Sequence, residues 1–419
     1  MVIERLYERA YAAKRSDGFR VLVEEVPGSR SVSVGVWVSV GSRDDPEPAP
    51  GLAHFIEHLA FKGTKSRDSE AISREIDAVG GHLNAATGKE TTFYYADLPA
   101  EGISVALDLL SDLVLHPAFE PEKIELERTV VLEEIRGHED DPEQSAFDRF
   151  AAGLWEGGHP LSRPILGASG AITLLKREDI AAHHRSHYRP GRMILVACGA
   201  VDHARLFEVA DRLFPPDRAS DRVEPGRRPP VLRSGREHHD RPTGQTHIYL
   251  GLPGPRAADA DRLPLEVANA ILGDGTGSRL FRAIREDRGL AYAVGSGVTR
   301  YTDTGFWLTY AGVAPQATER VIDLIQRELE SLPESLKEEE IALAKARLRG
   351  SFILGLESNA TRAARLGSAA LEGREILSPD EVLGRLAAID REDIARVLER
   401  FNRPEMANLA TVGPNTAGR

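Results

Sequence analysis

The residues whose types and spacing hold the most chemistry are His54, Glu57 and His58. On a helix, residues three and four apart share a face, so two imidazoles can aim at one point with a carboxylate beside them. Neutral imidazoles are good zinc ligands, and a carboxylate next to a polarised water is a good general base. The flanks favour a helix here. Pro50 and Gly51 suit its start, Gly63 suits its end, and apolar residues fill its other face. Two histidines still leave a zinc site short of a protein ligand. The acidic helical stretch from Pro121 to Arg136 offers one. Glu127 and Glu134 lie two turns apart on a single face, whereas Glu133 points roughly 100° away from Glu134. Glu134 is the expected third ligand. Glu127 is expected to orient a ligating imidazole.

These side chains need elements to hold them. Residues 31–40 alternate with period two, the mark of a half-buried strand, and a polar loop leads from them to the His/Glu helix. A second helix over 69–79 ends at Gly80-Gly81. Residues 82–87 and 91–96, joined by a turn at Gly88-Lys89, then read as a β-hairpin. Ala85 and Ala86 give its first strand small side chains, so an extended peptide could approach and add as a further strand. An amphipathic helix over 103–115 precedes the acidic one. His183, His184 and His187 cluster without an acidic neighbour, which points to a solvated or capping role. Cys198 lies in the apolar run 193–199 and reads as a small core residue.

Composition narrows the options. The 419 residues are too many for one ordinary core. With 41% hydrophobic and 28% charged residues the chain reads as soluble and globular. A net charge of −12 argues against a nucleic-acid groove. A lone cysteine excludes an internal disulfide and a cysteine-based zinc site. No apolar run is long enough for a membrane span, and Met1–Arg15 lacks the apolar core of a secretory signal, so a cytoplasmic location is expected.

The chain also repeats itself. Lys176–Ala181 and Gly199 recur as Asp390–Ala395 and Gly413, both at an offset of 214 residues. Residues 247–252 mirror the 32–40 strand. Leu263 to Thr276 mirrors the His/Glu helix at an offset of 212, with Glu266, Asn269 and Ala270 where His54, Glu57 and His58 stand. The expected fold class is therefore α+β, with two homologous sandwich-like α/β domains. Residues 1–216 form the zinc-binding domain, 217–240 a Pro- and Arg-rich linker, and 241–419 a metal-free copy. The copy has its own polar group. Arg285 and Tyr292 can both donate hydrogen bonds to a carbonyl or oxyanion. Gly275-x-Gly277 lacks the lysine that a phosphate loop requires.

Taken together, Gly51–His58, Phe61-Lys62-Gly63-Thr64, Gly80–Ala85, Glu127-Arg128, Glu133-Glu134, Arg285 and Gly289–Tyr292 resemble the zinc peptidases of the pitrilysin and mitochondrial processing peptidase type, the inverzincins with an H-x-x-E-H motif. The 75 residues between His58 and Glu134 match that family's spacing. The resemblance implies one zinc ion per chain on His54, His58 and Glu134, Glu57 as the base, and Glu127 in support. It also implies a substrate-binding edge strand at Asn84, Ala85 and Ala86, with Arg285 and Tyr292 reaching the scissile region. The chain has half the length of the single-chain clamshell members. The resemblance therefore implies a homodimer of the short bacterial type, its sites shared across the interface, that cleaves extended peptides in an enclosed chamber. Other members of such a fold are non-catalytic scaffold subunits, or catalytic subunits of heterodimeric processing peptidases. The intact His/Glu set argues against the first, and Arg285 with Tyr292 against the second.

Overall fold

The structure is a computed structural model that describes residues 1–216 and 226–415; residues 217–225 of the expected linker lie outside them. The chain divides into two compact units. One comprises Met1–Gly137, Arg163–Arg227 and Leu354–Ser378, the other His138–Ser162, Arg228–Ile353 and Pro379–Arg419.

The first unit is built on a seven-stranded sheet. Its strands are β1 (Val2–Tyr7), β2 (Ala10–Lys14), β3 (Arg20–Glu25), β4 (Ser31–Val38), β5 (His82–Thr87), β6 (Thr92–Pro99) and β7 (Met193–Gly199), in the order β1-β2-β3-β7-β4-β6-β5. β3 and β7 pair in parallel, and their neighbours pair antiparallel. The helices of this unit are α1 (Leu52–Ala60), α2 (Ser69–Ala78), α3 (Ile103–Leu115), most of α4 (Pro121–Asp140), α6 (Ser169–Leu174), α7 (Arg177–His187), α8 (His203–Leu213) and α12 (Asn359–Leu371).

The expected hairpin is β5–β6, and β5 is the edge of the sheet. The expected half-buried strand is buried on both faces. Val32, Val34, Val36 and Val38 enter the main core with α1, α3 and α4. Trp37, on the opposite face, packs with Ala363, Leu366 and Ala370 of α12. Alternation along one strand shows that its two faces differ; it does not show whether a distant helix covers the second face. The fit of α12 is close, since a Cβ at Gly367 would come within 2.6 Å of the Trp37 ring. Arg362 and Arg365 of α12 pair with the buried Glu24 of β3.

The second unit repeats this plan. Its strands are β8 (Gly235–Asp240), β9 (Thr246–Pro253), β10 (Ala291–Arg300), β11 (Gly305–Val313) and β12 (Asn408–Gly413), in the order β10-β11-β9-β12-β8. That order matches β5-β6-β4-β7-β3, down to the parallel pair β8–β12. Its helices are α5 (Pro142–Leu154), α9 (Arg262–Leu272), α10 (Thr318–Ser335), most of α11 (Glu338–Gly355), α13 (Pro379–Ala388) and α14 (Arg391–Phe401). Ile248, Leu250 and Leu252 of β9 pack with α9, α10 and α14 on one face. Phe150 and Leu154 of α5 cover Tyr249, Ala410 and Val412 on the other.

The bounds 1–216 and 241–419 follow the sequence repeat, whereas the compact units exchange segments. Residues 138–162 join the second unit, and 354–378 join the first. The physical reason is the same in both. Each sheet has a second apolar face, and a helix from the other half of the sequence covers it. Among the described residues, no helix is long and apolar enough to cross a membrane.

Candidate metal centre

α1 is a short helix with one apolar face. Leu52, Phe55, Ile56 and Leu59 are buried in the main core, and burial of such side chains contributes about 1.5–3 kcal/mol each. Its start is unusual. Gly51 has a φ of 94°, and a Cβ there would lie 2.5 Å from the Leu166 carbonyl, so glycine is required. The cap comes from upstream. The buried Asp45 carboxylate accepts the Gly51 amide at 2.8 Å and the Ala53 amide at 2.9 Å. An anionic acceptor at a helix N-terminus satisfies free amides and complements the helix dipole.

On this anchored helix the His54 and His58 rings stand 4.5 Å apart, centroid to centroid. Glu134 of α4 reaches both, its Oε2 lying 3.7 Å from His54 Nε2 and 3.4 Å from His58 Nε2. Ligands bound tetrahedrally at zinc–nitrogen and zinc–oxygen distances of 2.0–2.2 Å are about 3.3–3.5 Å apart. Among the described residues, His54, His58 and Glu134 form a group of potential ligands with donor atoms all within 4.8 Å of one another.

The surrounding contacts fit a cation. His58 Nδ1 donates to Glu127 Oε1 at 2.8 Å, which turns the ring so that Nε2 faces Glu134. Glu127 is itself held by Lys62 Nζ at 2.7 Å. Burial alone would raise the Glu127 carboxyl, but the His58 and Lys62 hydrogen bonds outweigh it and hold the group below its ordinary value. Burial, with His58 nearby, lowers His54 to about 4, so its imidazole is neutral at pH 7. His54 Nδ1 is buried without a hydrogen-bond partner. The donor set of two imidazoles and one carboxylate, with an open position, suits zinc.

Glu57 stands beside this group. Thr87 Oγ1, at the end of β5, donates to Glu57 Oε2 at 2.5 Å. Burial raises the Glu57 carboxyl above its usual range, against the Thr87 hydrogen bond and the charge of His58. The helix that carries His54 and His58 is thus tied to the sheet edge. On that edge Asn84 is exposed, and its Oδ1 accepts the Ala85 amide at 2.8 Å; Ala85 and Ala86 are partly buried.

The structure brings His54, Glu57, His58, Glu127, Glu134 and the 84–86 edge together in the first unit. Glu133 is exposed and pairs with Arg136, as its direction on the helix requires. Arg285 and Tyr292 belong to the second unit, where they meet each other. The Arg285 guanidinium lies 5.5 Å from the centre of the Tyr292 ring, and Tyr292 is 77% exposed at a bulge at the start of β10. In α9, Glu266 pairs with Arg300. Asn269 is buried and bonded to Trp307 Nε1 at 2.9 Å and Ser296 Oγ at 2.7 Å. A core amide thus stands where α1 has Glu57, and neither mirrored position of His54 and His58 carries a histidine. His183 and His184 are buried rather than solvated. His184 bonds to the Val114 carbonyl at 2.9 Å and stacks on Tyr188, so it serves the core.

Sequence reasoning missed Thr87, Lys62 and Asp45. Lys62 follows His58 by four residues, a helical spacing that could have found it. Thr87 and Asp45 act through chain folding and carry no local signal.

The family description "Insulinase (Peptidase family M16)" matches residues 20–169, and "Peptidase M16 inactive domain" matches residues 175–348. An uncharacterized zinc protease of Mycobacterium tuberculosis is 37% identical over 412 residues, covering 96% of this chain and 92% of the relative. The chain belongs to peptidase family M16. A further relative, the uncharacterized zinc protease YmxG of Bacillus subtilis, is 30% identical over 95% of this chain and 97% of its own length. The M16 fold is seen again in the crystal structure of a protease from Helicobacter pylori, with a TM-score of 0.89 and 22% identity over 96% of this chain and 99% of that one. The α9 helix, with its ligands replaced, falls within the stretch matched by the inactive-domain description.

Proposed function

We propose that this chain is a zinc metalloendopeptidase acting on short or unfolded peptides, with Glu57 as general base. The observation that carries the reading is the convergence of His54 Nε2, His58 Nε2 and Glu134 Oε2 beside a Glu57 carboxylate held by Thr87. His54, His58 and Glu134 would hold one zinc ion, with Glu127 fixing the His58 ring. Zinc bound there supplies Lewis acidity, polarising a carbonyl and making water acidic enough to ionise near pH 7.

The protein's own groups do the rest. Glu57 takes the proton of the attacking water and later gives it to the leaving amine; a carboxyl raised by burial is suited to both transfers. The Asn84–Ala86 edge pairs with the backbone of an extended peptide, which asks little of its sequence. Asn84 Oδ1 would then release the Ala85 amide to the peptide. Arg285 and Tyr292 donate hydrogen bonds to the developing oxyanion from the second unit of a partner copy, in a cytoplasmic homodimer that encloses the substrate.

Glu57→Gln tests the reading. The variant should bind one zinc per chain and keep the oligomeric state of the wild type, while cleavage of an unstructured peptide library falls by about 10²–10⁴-fold. Near-normal turnover by Glu57→Gln would sink the assignment.

A further inference from the structure

The edge strand β5 and the metal helix α1 are separate pieces of chain. A peptide paired to β5 meets Glu57 in register only if the two are fixed to one another. Thr87 is one tie. The others run through Gly41–Asp45, the segment between β4 and α1. Its last residue, Asp45, caps α1. Its first residues pair with the β5–β6 turn, the Ser42 amide donating to the Gly88 carbonyl at 3.1 Å and the Arg43 amide to the Lys89 carbonyl at 2.8 Å. Gly41 allows the approach, since a Cβ there would lie 2.5 Å from the Gly88 carbonyl oxygen.

A group of buried charges closes this junction. Arg43 Nη1 lies 2.6 Å from Glu90 Oε1. Arg227, from the stretch that leads into the second half of the sequence, grips Asp44 with two donors. Nε reaches Oδ1 at 3.0 Å and Nη2 reaches Oδ2 at 2.7 Å. Nη2 also donates to the Glu90 carbonyl at 3.0 Å, and Nη1 lies 3.5 Å from Glu90 Oε1. The Arg227 side chain is 12% exposed and that of Asp44 4%. Among the described residues, the Arg43 and Arg227 guanidiniums thus meet the Glu90 and Asp44 carboxylates largely out of water. Arg227 is the member that comes from neither the capping segment nor the turn.

We propose that Arg227 is a positioning residue for peptide cleavage. It locks the β5–β6 turn to the segment that caps the metal helix, and so holds the peptide-binding edge in register with Glu57. The proposal rests on the peptidase reading above. The planar guanidinium bridges Asp44 with a parallel pair of hydrogen bonds while it reaches the Glu90 carbonyl, a geometry that an ammonium group does not reproduce. Without Arg227, the Asp44 carboxylate loses both guanidinium donors and the Glu90 carbonyl loses one, so the buried Asp44 charge is less compensated and the turn loses its link to the segment.

The test uses full-length Arg227→Met and Arg227→Lys. It measures zinc content, cleavage of an unstructured fluorogenic peptide, and amide hydrogen exchange. Zinc should stay at the wild-type level. kcat/KM should fall about 10–100-fold, as expected for a reacting group displaced by about 1 Å. Exchange over residues 82–92 should quicken at least about tenfold while α3 exchanges as in the wild type, because an edge freed of its ties opens locally. Lys should recover only part of both effects, and Asp44→Asn should reproduce them if Arg227→Met does not fold. Unchanged exchange over 82–92 in a folded variant, or a loss of cleavage that tracks loss of zinc, overturns the proposal. If the wild-type protein cleaves no peptide, the peptidase reading fails, and the exchange measurement still decides whether Arg227 ties the turn.

Discussion

Replacing Glu127 by Gln removes one negative charge from between His58 and Lys62 with almost no change of shape. The Glu127 side chain is 3% exposed, so water does not replace what is lost. An amide oxygen still accepts the proton of His58 Nδ1, which keeps Nε2 available, but the amide nitrogen then faces Lys62 donor to donor. Lys62 is 34% exposed and can turn to solvent, so the cost falls on His58. Loss of a carboxylate that supports a ligating imidazole typically weakens metal binding about 10–100-fold, or roughly 1.4–2.7 kcal/mol. Gln, which retains the acceptor, should sit near tenfold. Glu127→Ala, which strands Nδ1 in a nearly closed site, should approach 100-fold. Zinc affinity measured by competition with a chromophoric chelator reads both values. Glu133→Gln is the control, because Glu133 is 63% exposed and points elsewhere on the same helix; it should bind zinc as the wild type does. Wild-type affinity in both Glu127 variants, or a weaker effect for Ala than for Gln, would refute the reasoning.

Thr87→Val keeps the shape but removes the donor to Glu57; a hydrogen bond to a charged group contributes about 1.5–3 kcal/mol, so cleavage should fall about 10–150-fold with zinc content unchanged and with recovery in Thr87→Ser. Equal rates for Val and Thr would remove Thr87 from the account. Burial pushes the Asp45 carboxyl up to about 7, against the Ala53 and Gly51 amides that favour its charged form. The folded protein then holds a proton that the unfolded chain releases near pH 4, so this group's contribution to stability declines as pH rises from about 4 to about 7. Asp45→Asn does not titrate. Denaturant midpoints should show its stability relative to wild type climbing through that window and levelling above it, whereas parallel curves would contradict the assignment. Asn269→Ala leaves Trp307 Nε1 without its acceptor in the second unit and should cost about 2–4 kcal/mol in thermal unfolding with zinc affinity untouched. A change in zinc affinity there would show that the two repeats are coupled.

The grouping of the candidate ligands was legible because it is periodic. His54, Glu57 and His58 share one helical face, and Glu127 and Glu134 share another, so spacing singled out these five side chains and the family resemblance joined them into one site. The repeat was legible for a similar reason, since the offsets of 212 and 214 residues keep their order along the chain. What escaped depends on contacts between segments with no fixed spacing. The pairing of Trp37 with α12 spans most of the sequence, so the 31–38 strand could not reveal that both of its faces are covered. The exchange of 138–162 and 354–378 between units was hidden for the same reason. Asp45 and Arg227 sit in stretches that read as a polar loop and a linker, yet both are nearly buried because each is surrounded by hydrogen-bond partners from other segments. A charged residue in a loop reveals its sign but not its partner.

The two repeats make the case for a resident cation from the polar groups themselves. Both α1 and α9 pack an apolar face into a core and place a polar group toward the sheet. In α9 that group is Asn269, which bonds to Trp307 and Ser296, so its burial is balanced by neighbours of the same chain. In α1 the corresponding residue is Glu57, and beside it stand two histidines. His54 Nδ1 has no partner, the two Nε2 atoms face a single carboxylate oxygen, and the Glu57 carboxyl is held up by burial. A fold with the same shell and strand order can satisfy this position entirely from within, as α9 does. α1 instead brings two imidazole Nε2 atoms and one carboxylate oxygen to a single point, the donor set that a cation would accept.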